Sequence, residues 1–357
     1  MTLILSNEEI SELLTMPDTL AVLEDAYVEL AHGRGITRRR SDSLAWGALP
    51  DSVYGLKSMD GVAPKQGVAA IRINSDVVTW PEVDGQRRRV KNPVAPGGRF
   101  TGLVLLFSTE TGAPLAIIPD GVVQRMRVGA TNGLGAKYLA RADARSVGIL
   151  GSGWQAATQL TAVCAVRDIK TIKCFSPTGQ NRERFCREMS KLLGIGVVPV
   201  RSAREAFEGA DIALCATSSI ENVFFKDMIE PGMHVSSIKL PEVEAAAMKA
   251  ADRLVVAGPS GTPDVVSVAG LEWMERSATK EARLEQEIDF ARCPTLPQLI
   301  AGMVKGRQSD DEVTCFLNNL GMGYQFAAVG ALLLDKARAA KAGRELPTEW
   351  FTEDVHP

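Results

Sequence analysis

Between Val147 and Ala156 the chain reads Val-Gly-Ile-Leu-Gly-Ser-Gly-Trp-Gln-Ala, an apolar run of strand character that breaks at Gly151. Helix-forming residues follow from Gln155 to Arg167. Gly151, Ser152, Gly153, Trp154, Gln155 and the small Ala156 have the spacing of a dinucleotide-binding turn. In such a turn the first glycine permits the tight reversal and the second lets backbone approach a pyrophosphate. The small third residue lets the helix pack on the strand. Amides at the helix start, together with the helix dipole, then favour the phosphate charge. Any strand-to-helix glycine turn can imitate this signal, so it needs support from elsewhere in the chain. The next diagnostic position is the end of the following strand, Thr171–Phe175, where a carboxylate would hold the ribose 2′-hydroxyl of NAD. Ser176, Pro177 and Thr178 stand there instead, with Arg182 a turn further on. Hydroxyls and a guanidinium suit a 2′-phosphate, so NADP is the expected cofactor, with NAD possible. Alternatively, Ser176 caps the next helix and Arg182 is a solvated surface residue. Thr217 and Ser218 follow a strand at the end where parallel sheets bind ligands, or simply make a polar turn.

Other chemistries find little material. The three histidines (His32, His234, His356) have no ligand spacing, which argues against a metal site and against a histidine-based triad. The six cysteines are scattered without a C-x-x-C pair and read as reduced core residues of a cytoplasmic protein. A formal net charge of −3 gives no reason to expect nucleic acid or an anionic membrane as partner. No apolar run approaches the ~20 residues of a membrane span. The first residues carry no basic segment and run into an acidic helix, unlike a signal peptide.

The elements that must position these residues fall into two patterns. From Ser146 to Val256 strands alternate with helices: strands at Ser146–Leu150, Thr171–Phe175, Val197–Pro199, Ile212–Ala216, His234–Ile238 and Arg253–Val256, with helices at Gln155–Val166, Arg182–Leu193 and Ala203–Glu208. That alternation is the signature of a Rossmann-type, doubly wound parallel sheet. The N-terminal part differs. A short strand at Leu3–Leu5 precedes helices capped near Ser6 and starting near Pro17, then come strands at Ser43–Ala48, Tyr54–Met59, Gly67–Asn74, Thr101–Ser108 and Leu115–Ile118. The Asp84-Gly85 pair suggests a hairpin or loop excursion between Trp80 and Arg99. Such a segment predicts an antiparallel or mixed sheet. Val122–Ala140 reads as a helix rich in small residues, and the chain from Thr295 reads as helical, with Asn318–Ala342 forming one long helix or two. The expected fold class is therefore α/β: a Rossmann-type domain at 128–315, and a second α+β domain formed by 1–127 together with 316–357.

Four stretches in order identify a resemblance to the ornithine cyclodeaminase/mu-crystallin family over nearly the whole chain. They are Glu110–Ala116 before a strand and the Asp120-Gly121 turn, Met126–Thr131 leading into Ala136–Ala140, Gly151–Ala156 in its G-x-G-x-Q-A form, and Gly306–Thr314. The resemblance implies a homodimer whose second domain carries the substrate site and the dimer interface. It also implies hydride transfer between a nicotinamide and the α-carbon of an amino acid, or of a keto acid's imine. An imine reductase or amino-acid dehydrogenase is the expected activity. The alternatives are ornithine cyclodeaminase chemistry and a mu-crystallin-like binding protein with little turnover. The family's substrate-carboxylate arginine falls on Arg127, at the start of the small-residue helix, and a second one falls within Arg38-Arg39-Arg40, best on Arg40.

The chain departs from the family at two positions. The family lysine near the substrate carbon corresponds, depending on register, to Arg72 or Ala69. The acid that cyclodeaminases use as proton shuttle corresponds to Lys239, in Ser236–Glu242. Arginine stays protonated and is a poor acid/base, whereas a desolvated lysine can shuttle a proton. Lys239 is therefore the expected acid/base and Arg72 a binder of substrate anion, with Glu242 and Glu244 as neighbouring carboxylates. The alternative for Lys239 is a surface lysine in a slightly different loop.

Overall fold

The computed structural model describes residues 1–83, 86–87, 90–219, 221–258, 263–271, 284 and 286–354. Two sheets organise them. A seven-stranded parallel sheet runs in the order Val197–Pro199, Thr171–Phe175, Ser146–Leu150, Ile212–Cys215, His234–Ser237, Thr314–Leu317, Arg253–Val256. Its central strands Ile212–Cys215, His234–Ser237 and Thr314–Leu317 are buried at every residue, as a sheet covered on both faces requires. One face packs on the helices Trp154–Val166 and Gly179–Leu193 through Leu160, Val163, Phe185 and Met189. The other packs on Ala203–Phe207 and Ala245–Ala250 through Phe207, Ala247 and Met248.

The second sheet is mixed and ten-stranded, with the main order Asp264–Ser267, Ser41–Trp46, Val53–Ala63, Val68–Thr79, Thr101–Ser108, Pro114–Pro119, Thr2–Ile4, Arg344–Leu346. Its inner face is covered by the helices Met16–Ala31 and Gly323–Ala340, with Tyr27, Leu106, Ile118, Tyr324 and Phe326 almost fully buried. At Gly61 and Gly323 the helix start meets strand backbone so closely that a Cβ at either would overlap main-chain atoms. Ser6 caps the first helix, Asn7–Leu13, with a complete capping box.

Three expectations are corrected. Thr314–Leu317, read as part of a helical region, is a strand inserted between His234–Ser237 and Arg253–Val256. A short, fully buried apolar run carries no periodicity to separate it from helix. Asp120-Gly121 is no turn but the first residues of the helix Asp120–Leu139. Arg127 consequently lies in its third turn, not at its start. A hairpin does form, Glu82–Val83 on Gln86–Arg87, while its Asp84-Gly85 tip lies outside the described residues. The divisions at 127/128 and 315/316 fall inside the helix Asp120–Leu139 and the strand Thr314–Leu317, and Asp264–Ser267 pairs with Ser41–Trp46 of the mixed sheet.

The helix Asp120–Leu139 joins the two halves. A Cβ at Gly129 would come within 2.7 Å of Thr158, and one at Gly133 within 2.8 Å of the Ala162 methyl. Its small residues therefore serve close approach to the helix Trp154–Val166. Asn132 donates to Ser236 Oγ at 2.8 Å and accepts from Asn318 at 2.7 Å, which ties the same helix to the parallel sheet.

Candidate active site

The strand Val68–Thr79 turns Arg72, Asn74 and Asp76 to one face, by its two-residue alternation. Arg72 stands opposite Met59 and Val104 on the neighbouring strands. Its Nε donates to Asp120 Oδ2 at 2.8 Å, and Nη2 lies 2.6 Å from the same oxygen. Gly102 leaves the space that the Asp120 carboxylate fills.

Two turns along that helix, Arg127 is 3% exposed. Nη1 donates to Gln325 Oε1 and Nη2 to Gln124 Oε1, each at 2.7 Å. Its Nε is buried without a hydrogen-bond partner, and among the described residues no carboxylate forms an ion pair with it. Burial, together with the nearby Arg72 cation, pulls its pKa down to about 9. The cation has lost water without gaining an anion. The guanidinium is nevertheless held firmly: it lies 5.1 Å from the centre of the Phe326 ring, and Gly321 packs against it. Gln325 is fully buried, and its amide nitrogen donates to Tyr27 at 2.6 Å and Thr131 at 3.1 Å, so the acceptor facing Arg127 is fixed.

Arg40 is partly engaged: its Nε and Nη2 bind Asp42 bidentately at 2.7 and 2.8 Å, which leaves the Nη1 edge for a substrate carboxylate. Lys239 stands half-buried just beyond the strand His234–Ser237, and its Nζ donates to Ser219 O at 2.8 Å. That hydrogen bond directs it to the crevice at the C-terminal edge of the parallel sheet. Glu242 is fully buried and acts as a brace there. It accepts from Thr217 N at 2.5 Å, Thr217 Oγ1 at 2.7 Å, Ser237 Oγ at 3.1 Å and Ile238 N at 3.2 Å. The Thr217 hydroxyl is thereby committed to the protein, and Ser218 beside it is exposed. Glu244 accepts from the Lys226 amide and so holds a different loop. Asp120, Gln124 and Gln325 were not anticipated from sequence. Gln124, three residues before Arg127 on a helix, was the one legible candidate among them.

At the glycine turn, Gly151 has φ +114°, and a Cβ there would overlap the Ala216 carbonyl, so only glycine fits. Gly153 is the N-cap of the helix Trp154–Val166, which has no side-chain cap and no acid in its first turn. A Cβ at Gly153 would meet nothing within 4 Å, so the helix start opens to its surroundings. Ala156 is fully buried, and the buried Gln155 Oε1 has no hydrogen-bond partner. Ser152 Oγ donates to Ser176 Oγ at 2.9 Å, joining the turn to the end of the next strand. There Arg182 donates to Ser176 O at 2.6 Å and lies 5.6 Å from the centre of the Phe175 ring, and Thr178 opens the helix Gly179–Leu193 without a side-chain cap. A strained glycine, an open uncapped helix start and a guanidinium at the next strand end fit a dinucleotide. Among the described residues no cluster of metal-ligating side chains forms, and no helix is long and apolar enough to cross a membrane.

Comparisons with known proteins place the chain among enzymes of known activity by similarity. The chain is 26% identical over 349 residues to a Delta(1)-pyrroline-2-carboxylate reductase of Bacillus thuringiensis subsp. konkukian, covering 96% of this chain and 99% of that one. The solved structure of a Thermococcus litoralis Delta(1)-pyrroline-2-carboxylate reductase, in complex with NADH and L-proline, superposes with a TM-score of 0.78 at 27% identity, covering 97% of this chain and all (100%) of that one. An archaeal alanine dehydrogenase dimer with bound NAD gives 0.77 at 25% identity, covering 97% and 99%. Residues 83–341 match the model of the ornithine cyclodeaminase/mu-crystallin family, and the chain belongs to that family.

Proposed function

We propose that this protein is an NAD(P)-dependent oxidoreductase acting on the CH–NH2 bond of a small amino acid or on the C=N bond of a keto acid's imine. The observation that carries the reading is Arg127, a buried guanidinium without a carboxylate partner among the described residues, on a helix packed against the dinucleotide helix. When bound, the nicotinamide supplies or takes up a hydride. Gly151, Ser152, Gly153, Trp154, Gln155 and Ala156 hold the diphosphate side of the dinucleotide, and Ser176, Thr178 and Arg182 hold a 2′-phosphorylated ribose. Thr217 reaches the cofactor through its loop rather than its hydroxyl, beside Ser218. Arg127 clamps the substrate carboxylate. Arg72, oriented by Asp120, adds a second cation, and Arg40 contributes from the edge that Asp42 leaves open. Lys239 exchanges a proton with the substrate nitrogen.

The division into a cofactor domain at 128–315 and a substrate and dimerisation domain at 1–127 with 316–357 belongs to the same proposal. So does a homodimer, supported by the apolar residues on the outer face of the mixed sheet, where Leu56 and Leu103 are 41% and 38% exposed. Six free cysteines support a cytoplasmic location.

Consumption of NADPH or NADH with pyruvate, glyoxylate or cyclic ketimines, supplied with an amine where needed, tests the activity. Proline and ammonia appearing from ornithine would identify a cyclodeaminase instead, and tight dinucleotide binding without turnover of any imine or amino acid would identify a binding protein. Lys239→Met should lower kcat about 100-fold, the usual contribution of a general acid/base; turnover within about threefold of wild type removes Lys239 from the chemistry. Arg182→Ala should weaken NADPH binding about tenfold while leaving NADH within about twofold, the loss of one charge-assisted contact. Equal losses for both cofactors would contradict the 2′-phosphate assignment.

A further inference from the structure

Arg125 lies two residues before Arg127, so the two guanidiniums leave nearly opposite sides of the helix Asp120–Leu139. Its guanidinium carbon is 5.2 Å from the centre of the Trp154 ring. Trp154 is the first residue of the helix that follows the glycine turn and is 74% exposed. Arg125 itself is half-buried, and burial lowers its pKa. Among the described residues it makes no hydrogen bond or ion pair. A cation held over an indole face by the ring quadrupole still has N–H donors available to a further acceptor. That helix start is the positive end of a dipole, without a side-chain cap, without an acid in its first turn and with open space at Gly153. Two sources of positive potential thus lie at Trp154, and among the described residues no acidic side chain pairs with either.

We propose that Arg125 is a cofactor-binding residue whose guanidinium, held over the Trp154 ring, engages the diphosphate bridge of the dinucleotide at the N-terminus of the helix Trp154–Val166. The glycine fingerprint recognises that bridge through backbone amides, so a guanidinium delivered from the substrate-binding helix is an addition to it. It also couples the two ligands mechanically. The same helix carries Arg127 for the substrate and Arg125 for the cofactor, so ordering by one ligand reaches the other through a single rigid element.

The proposal rests on the reading that the phosphates lie at this helix start, and the test separates the two. NADH and NADPH are titrated by nicotinamide fluorescence at several NaCl concentrations into wild type, Arg125→Ala, Arg125→Gln, Arg125→Lys and Gly153→Asp. Arg125→Ala and Arg125→Gln should weaken both cofactors about 10- to 100-fold, as loss of a hydrogen bond between charged groups predicts. The salt dependence of their binding should flatten, and Arg125→Lys should recover part of the loss. Melting temperatures should stay within about 2 °C, because no hydrogen bond or ion pair is removed. The glutamine variant keeps a stem over the indole and covers any packing disturbance caused by alanine. Wild-type affinity and salt dependence in both variants, with binding lost in Gly153→Asp, overturns the role of Arg125 alone. Normal binding by Gly153→Asp as well overturns the placement of the phosphates. A raised substrate KM with unchanged cofactor Kd would assign Arg125 to the substrate and likewise overturn the proposal.

Discussion

Replacing Arg127 by methionine is expected to raise the KM for the amino or imino acid about 100- to 1000-fold, the range for removing one partner of a buried charged pair. The dinucleotide Kd should change less than about twofold, because the loss falls on substrate binding. The expected effect follows from an unbalanced buried cation. Arg127 is 3% exposed, and among the described residues its acceptors are the neutral amide oxygens of Gln124 and Gln325 and its Nε has no partner. On the proposed function, a substrate carboxylate is the anion that would complete the pair. The nearby acid, Asp120, is engaged by Arg72 and so cannot compensate both. The same reasoning fixes the sign of the stability change. Methionine fills the space beside Phe326 and Gly321 without a buried charge, so the variant should melt at or above the wild-type temperature. Steady-state kinetics and a thermal melt check both parts. A lower melting temperature with an unchanged KM would make Arg127 a structural residue.

What the sequence made legible depended on how local the cause was. Gly151 was readable because the turn itself demands a left-handed backbone, and Ser6 because a capping box lies within four residues. Ser146–Leu150 and Thr171–Phe175 occupy the predicted bounds because glycines, prolines and charged residues bracket them. Thr314–Leu317 was lost among helical segments, since four buried residues in a parallel sheet show neither alternation nor a helical stripe. Asp120-Gly121 carries a local turn signal, but the Arg72 side chain and the room left by Gly102 recruit Asp120 into a helix start. Likewise, nothing local tells that Arg40 is gripped by Asp42, or that the Thr217 hydroxyl is spoken for by Glu242. The residue types of the site were visible from spacing and resemblance. Their state of pairing, which decides whether a charge awaits a ligand, is a property of the folded chain.

Gly153→Asp should separate stability from function more sharply than any other single change. Gly153 has φ −97° and ψ −177°, extended backbone that aspartate adopts without strain, and a Cβ there meets nothing within 4 Å. It is also the N-cap of a thirteen-residue helix that lacks a side-chain cap. Aspartate is among the best N-cap residues, and its carboxylate suits the positive end of the helix dipole, so the fold should gain about 0.5–1 kcal/mol. The same carboxylate would occupy the place proposed for the diphosphate and repel it. Binding of NADH and NADPH should therefore weaken more than about 100-fold, through lost amide contacts and like-charge repulsion. Nicotinamide fluorescence titration beside a thermal melt reads both effects on one sample. If the variant melts higher and still binds the dinucleotide with wild-type affinity, the phosphates lie elsewhere, and the uncapped helix start would then be an unstabilised end with no ligand to explain it. A higher melting temperature with binding lost means that this helix is left uncapped by the chain because the cofactor caps it.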